Sequence, residues 1–142
     1  MKALENHLAN LRQQVIEMGT LTQQMVSLAV KILSNPHDDD LVLEVFQREE
    51  VLDRMQIDID RTGMQLMVLY CPVAADLRMV MSISRLTVEL ERIGDQVVNL
   101  CKSAQLLPAG GKVTLLPEIH QLAAVVTQMV ADSLDAFIRG DS

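Results

Sequence analysis

The chain has 142 residues, a formal net charge of −7, and 49% hydrophobic residues of which very few are aromatic. This length is enough for one domain, and its core must be built from aliphatic side chains and methionine. The acidic charge, without a basic patch or stacking aromatic residues, argues against nucleic-acid binding. No apolar run approaches the roughly 20 residues of a membrane-spanning helix, and no signal peptide is evident. We therefore expect a cytoplasmic, all-α protein without membrane insertion, whose cysteines, Cys71 and Cys101, are free, buried thiols.

The first predicted helix spans residues 4–34 and carries a heptad pattern over four repeats. Its apolar seam consists of Leu4, Leu8, Leu11, Val15, Met18, Thr22, Met25, Ala29 and Ile32. The helix must end near Asn35, because the residue before Pro36 is pushed out of the α region. The acidic run 38–40 that follows is expected to cap the next helix and complement its dipole.

The second predicted helix spans residues 41–70, and its inward arc contains polar residues where apolar ones are normal. Leu52, Ile59, Phe46 and Met64 bound this arc, and its middle holds Glu49, Asp53, Gln56 and Asp60. Either the amphipathic pattern is deliberately broken here, or this side of the helix faces a groove.

The third predicted helix spans residues 74–107 and follows a break at Cys71-Pro72. A short break between two long amphipathic helices predicts an antiparallel hairpin. Folding the chain about Pro72 brings Glu49 level with Asp95 and Asp53 level with Glu91. On the third helix, Glu91 and Asp95 lie one turn apart on a mainly apolar face. Four carboxylates thus converge between two helices, which is costly unless they are paired or bind a ligand.

A single pair of acids four residues apart is more often an ordinary surface feature than a site. Two pairs matched across a hairpin favour a site, and oxygen donors suit Mg, Mn or ferric iron. A di-iron oxygenase is disfavoured, because its bundle requires Glu-x-x-His motifs and no glutamate here has a histidine three residues later. The sequence also shows no nucleophile–base pair and no phosphate-binding glycine loop, so we do not expect an enzyme.

The fourth predicted helix spans residues 117–139 and follows a linker, 108–116, which contains Pro108 and Gly110-Gly111. It repeats the first helix at an offset of 104 residues, because Gln24-Met-Val recurs as Gln128-Met-Val and the apolar positions coincide. We therefore expect a three-helix unit over residues 1–107 and the first helix of an incomplete second repeat over 117–142. The fourth helix presents an apolar stripe that predicts a homodimer, formed with or without helix exchange across the linker. The stripe consists of Leu115, Ile119, Leu122, Val126 and Met129.

Three motifs in order resemble those of the PhoU family of phosphate-uptake regulators. They are Glu49-x-x-Leu-Asp53, Pro72-Val-Ala-Ala-Asp-Leu-Arg78 and Leu90-Glu-Arg-Ile-Gly-Asp95, and the resemblance covers roughly residues 4 to 139. It implies a three-helix bundle that is usually present twice, and a multinuclear iron or zinc cluster held by Glu49, Asp53, Glu91 and Asp95. It also implies negative regulation of phosphate transport and signalling, through a phosphate ABC transporter and a membrane sensor kinase. The Asp76 and Arg78 of the second motif are expected to be structural or interfacial.

Three functional classes remain open at this stage. The motifs favour a metal-binding regulatory adaptor that docks on a transporter or kinase. A metal-free structural helical interaction module would show the same apolar seams with solvated acids. A metalloenzyme comes third, because histidine ligands are missing.

Overall fold

The computed structural model describes residues 2–108 and 115–140, and these form an antiparallel helical bundle. The helices are α1 (Lys2–Ser34), α2 (Asp39–Tyr70), α3 (Ala74–Ala104) and α4 (Pro117–Arg139). The predicted all-α class is confirmed. The predicted domain boundaries are not tested, and most of the predicted linker lies outside the described residues.

Helix α1 is the centre of the bundle, because α2, α3 and α4 all pack against it. Every residue of its predicted heptad seam is buried, and Leu11, Val15 and Met18 are fully enclosed. The helices α2 and α3 also pack on each other, whereas α4 packs on α1 and does not approach the backbones of α2 or α3 in the described ranges. The apolar periodicity thus predicted the core correctly.

The helix ends follow local chemistry. The Asp38 side chain accepts hydrogen bonds from the Asp40 and Leu41 amides, so α2 begins two residues earlier than predicted. At the other end of α2, Cys71 adopts a left-handed conformation with φ 44°. That cap position leaves Cys71 exposed, so the prediction that both thiols are buried is wrong for Cys71 and correct for Cys101. Helix α3 ends at Ala104 and not at 107. The Gln105 amide still donates to the Cys101 carbonyl, but the Leu106 and Leu107 amides bond in the tighter i to i−3 pattern.

The helices α2 and α3 form the predicted hairpin about Pro72. Gly63 of α2 faces Val80 of α3 at one level, and Leu52 of α2 faces Gly94 of α3 at another. The approach at Gly94 is very close, because a Cβ atom there would overlap the Leu52 side chain. The chain therefore needs a glycine at this point for α2 and α3 to meet as they do.

Helix α4 runs antiparallel to α1. The Gln23 side chain donates a hydrogen bond of 3.2 Å to the Thr127 carbonyl, and Gly19, one turn earlier in α1, faces Leu134, two turns later in α4. Thr127 is also the residue that the predicted 104-residue offset pairs with Gln23. The two helices therefore cross at equivalent positions of the predicted repeat.

Candidate functional site

The four predicted acids lie on the side of the α2–α3 hairpin that faces away from α1. Glu49, Asp53 and Glu91 are half-buried, and Asp95 is exposed. Their apolar neighbours Leu52 and Leu90 point into the core and are almost fully enclosed. Of the two sequence-based alternatives for α2, the structure therefore shows the second: its polar arc faces a groove between α2 and α3.

Glu91 is the electrostatic centre of this group. Burial, a hydrogen bond to Asp53, and the negative charges of Asp53, Asp95 and Glu49 raise the pKa of Glu91 to about 8. Two ionised carboxylates cannot hydrogen-bond to each other, so this bond exists only when a proton lies between them. The enclosed Oε2 atom of Glu91 has no hydrogen-bond partner among the described groups. The site thus favours a positive species, either a proton or a cation, at Glu91.

Glu49 lies one turn before Asp53 in α2 and interacts with the charges of the same cluster. Its pKa is raised, first by burial and then by the charges of Asp53 and Asp95, while Lys102 of α3 opposes the shift. The acids that the sequence places level, Glu49 with Asp95 and Asp53 with Glu91, therefore lie close enough to repel each other. Lys102, a basic residue that acts on Glu49, was not predicted from the sequence.

The local sequence explains why the acids come so close. Gly94 lies between Glu91 and Asp95, and the Leu52 side chain, next to Asp53, occupies the space that a Cβ atom of residue 94 would need. The two helix backbones can approach this closely only because residue 94 has no Cβ atom. Gly94 belongs to the third of the family motifs, and its packing role was not predicted from the sequence. A glycine in the middle of a strongly amphipathic helix was the available signal.

The donor set suits hard cations, because it offers only carboxylate oxygens from two rigid helices. Glu91 Oε2 is an unpartnered, enclosed oxygen of the kind that a cation satisfies. Across residues 2–108 and 115–140, however, no three His, Cys, Asp or Glu side chains are already close enough to hold one metal ion. The residues therefore fit a metal in charge and chemistry, and their side chains would have to rotate to bind one ion together.

The other residues of the quoted motifs lie apart from the acids. Asp76 is half-buried in the first turn of α3, where a negative charge complements the helix dipole, and Arg78 is exposed. Both residues are near the Pro72 end of the hairpin, about four turns from Glu91. Their structural or interfacial role stays a prediction.

The fold and the site define the general class: an all-helical bundle protein with paired acids across one hairpin. Comparison with known proteins gives the family. Residues 15–104 match the family model described as the PhoU domain, so this chain belongs to the PhoU family. The family resemblance predicted from the three motifs is confirmed.

Individual relatives agree with this assignment. The chain is 33% identical to the phosphate-specific transport system accessory protein PhoU homolog of Aquifex aeolicus, over 98% of this chain and 62% of that protein. It is 35% identical to the accessory protein PhoU of Escherichia coli, over 94% of this chain and 55% of that protein. The crystal structure of PhoU from Pseudomonas aeruginosa superposes with a TM-score of 0.84 at 30% identity, covering 95% of this chain and 65% of that one.

These comparisons also bear on the class of the protein. The relatives are named as accessory proteins and not as enzymes, in agreement with the prediction. The chain spans about three fifths of the length of the curated relatives that it matches. Within the described ranges, no helix is long and apolar enough to cross a membrane.

Proposed function

We propose that this protein is a cytoplasmic regulatory adaptor of phosphate uptake, which acts negatively on a phosphate ABC transporter and a membrane sensor kinase. The observation that carries the proposal is the PhoU-domain match over residues 15–104. The named relatives are accessory proteins of the phosphate-specific transport system, and they align with nearly the whole of this chain. The kinase and the negative sign of the regulation come from the family resemblance of the motifs.

The carboxylate cluster supports a metal-binding role within this function. We infer that Glu49, Asp53, Glu91 and Asp95 bind iron or zinc, and that the fully loaded site holds more than one metal ion. A bound cation would neutralise four neighbouring carboxylates and satisfy Glu91 Oε2, which has no hydrogen-bond partner in the described structure. It would thereby stabilise the contact between α2 and α3, where Leu52 packs into the space beside Gly94.

The exposed side of α4 supports a homodimer. At the 104-residue offset, Leu122 and Met129 correspond to Met18 and Met25, which are 0% exposed, yet Leu122 is 61% and Met129 62% exposed. Ile119 and Val126 of the same stripe are half-buried against α1 and α3, so the chain hides only part of the stripe. A second copy presents the same surface and would cover the remainder by two-fold pairing. The Gly110-Gly111 segment proposed for helix exchange lies outside the described residues.

Binding to the transporter tests the function directly. Purified chain is immobilised and exposed to the detergent-solubilised phosphate ABC transporter of the same organism, with an unrelated ABC transporter as the matched control. We expect the phosphate transporter to be retained and the unrelated transporter to pass through. Equal retention of both, or of neither, would contradict the proposal. A metal-free interaction module would retain the transporter and take up no metal.

A further inference from the structure

The turn that joins α2 to α3 exposes apolar side chains at one end of the bundle. Val68 is 77% exposed, Leu69 73% and Val73 74%, which are among the highest values for large hydrophobic residues in the described ranges. Helix α4 does not approach this turn, because it packs on α1. We call residues 68–73 the hairpin tip. Neighbouring apolar side chains that are exposed in this way commonly mark an interaction site.

Arginine side chains share this surface. On the outward face of α2, one shallow depression is lined by Arg61, Met64, Gln65, Val68 and Leu69. Their spacing is that of neighbours on one helix face, so the guanidinium group and the apolar side chains are exposed side by side. Arg78, in the second turn of α3, is also exposed near the tip. The apolar tip therefore has a cation on each of its two helices.

The segment around the tip differs in charge from the rest of the chain. Residues 61–88 contain three arginines, Arg61, Arg78 and Arg85, and one acid, Asp76, whereas the whole chain has a formal net charge of −7. All three arginines are exposed, and none forms an ion pair with a residue of the described ranges. Their charges are therefore available to an anionic partner.

An anionic lipid surface matches both the apolar and the basic side chains. Amphipathic protein surfaces that lie in a bilayer interface bury apolar side chains roughly 5–10 Å deep and place basic ones at the headgroups. Arg61 precedes Val68 by about 10 Å along α2 at the helical rise, which fits this depth. The tip is also a protruding turn. A lipid surface can adapt to a protruding turn, whereas a folded protein needs a complementary pocket.

We propose that the hairpin tip binds the surface of an anionic bilayer, with Val68, Leu69 and Val73 at the boundary of the acyl chains and Arg61 and Arg78 on lipid phosphates. The contact is interfacial and needs no membrane-spanning helix. The proposal goes beyond the regulatory function, because it requires neither the transporter nor a metal. It gives the protein a direct contact with the membrane.

Binding to protein-free vesicles tests the proposal by flotation. One set contains phosphatidylcholine alone, and the other is a three-to-one mixture with anionic phosphatidylglycerol, both with EDTA. We expect at least about tenfold tighter binding to the anionic vesicles, and weaker binding as salt increases. Cys71 provides a reporter at the tip, because its thiol is exposed and that of Cys101 is buried. An environment-sensitive fluorophore on Cys71 should shift to the blue with the anionic vesicles only.

Two double variants test the apolar contact. Val68→Gln/Leu69→Gln should weaken binding to anionic vesicles at least about tenfold, because it removes apolar side chains from the interface. Leu43→Gln/Ile57→Gln changes two exposed apolar residues of the same helix, far from the tip, and should bind as the wild type does. All four side chains are exposed, so both variants should keep the far-UV circular dichroism of the wild type.

A second pair of variants tests the basic contact. Arg61→Gln/Arg78→Gln should weaken binding to anionic vesicles at least about tenfold. Arg54→Gln/Arg92→Gln removes the same charge from exposed positions of the same helices and should leave binding within about twofold of the wild type. Absence of vesicle binding, equal binding to both lipid compositions, or equal loss in a variant and its control would overturn the proposal. Retention of the transporter without vesicle binding would also overturn it, since the tip would then serve a protein contact.

Discussion

Glu91 of α3 lies beside Asp53 of α2 across the hairpin groove, and the pKa of Glu91, raised to about 8 by burial and by its interaction with Asp53, lets the pair share a proton at neutral pH. The pair lies directly beside a close contact of the two helices, where the Leu52 side chain packs against Gly94. Close helix packing therefore forces the carboxylates together, and a proton or a cation must offset their repulsion. The site is thus a consequence of the way the hairpin packs.

The first prediction concerns the pH dependence of stability. The pKa of Glu91 is higher in the folded state than in the unfolded state, so the folded protein holds an extra proton between about pH 4.5 and 8. The resulting stabilisation is complete below this range and is lost as pH rises through 8. Because the groove is partly open to solvent, we expect the loss to be only about 1–2 kcal/mol.

Glu91→Gln isolates this effect, because glutamine cannot ionise. In urea unfolding with chelator present, the variant should match the wild type near pH 5 and exceed its free energy of unfolding at pH 8. Glu89→Gln, at an exposed position on the other face of α3, serves as the control and should follow the wild type at both pH values. A constant difference between wild type and Glu91→Gln across the range would contradict the assignment.

The second prediction concerns the close contact of α2 and α3. Gly94→Ala adds a methyl group that would overlap the Leu52 side chain. Overpacking of this kind lowers the free energy of unfolding by about 1–3 kcal/mol. Gly63→Ala is the matched control, because its methyl would meet Val80 Cγ1 at an ordinary 3.7 Å. Replacing this helical glycine should stabilise the protein by roughly 0.5–1 kcal/mol. Thermal unfolding measures both, and two shifts of the same sign would contradict the packing account.

The third prediction concerns the homodimer. Leu122→Glu/Met129→Glu adds charge to two exposed apolar positions of α4 and should give a folded monomer. Gln121→Glu/Ala124→Glu adds the same charge to exposed positions outside the stripe and should leave the dimer intact. Sedimentation at micromolar concentration measures the mass of each. A monomeric wild type, or dissociation of both variants, would contradict the proposed interface.

The fourth prediction concerns proton release on metal binding. At pH 7 the proton on Glu91 must leave before the carboxylate can bind a cation, so zinc binding should release protons and strengthen between pH 6 and 8. Calorimetry in two buffers of different ionisation enthalpy measures the number released. The same number for wild type and Glu91→Gln would show that the proton does not come from Glu91.

Much of this architecture was predictable from periodicity and from the chain breaks. The heptad seam of α1 identified the buried face, and the mirror about Pro72 identified which acids of α2 and α3 lie level. Two features were not predictable in the same way. The exposure of Asp95 and the groove around it depend on where α1 sits beneath the hairpin, which the pattern of one helix does not determine. The left-handed cap at Cys71, which exposes its thiol, depends on local backbone geometry that the pattern did not indicate.

The resemblance to the PhoU family contributed information of another kind. It indicated phosphate regulation and a metal cluster, which no feature of a helical bundle implies by itself. The structure supplied a physical reason for the acids and the glycine of the motif to occur together. Gly94 admits Leu52, and the resulting approach of the helices brings Asp53 to Glu91.

The most direct measurement of the central claim is metal uptake by matched variants. The wild type is compared with two double variants, Glu91→Ala/Asp95→Ala and Asp58→Ala/Glu89→Ala. Each variant loses two carboxylates from α2 or α3, but only Glu91→Ala/Asp95→Ala alters the groove. Each protein is titrated with ferric iron and with zinc, and the bound metal is counted by mass spectrometry after desalting. We predict saturable uptake by the wild type and by Asp58→Ala/Glu89→Ala, and loss of that uptake in Glu91→Ala/Asp95→Ala. Equal uptake by all three folded proteins would contradict a metal site between α2 and α3.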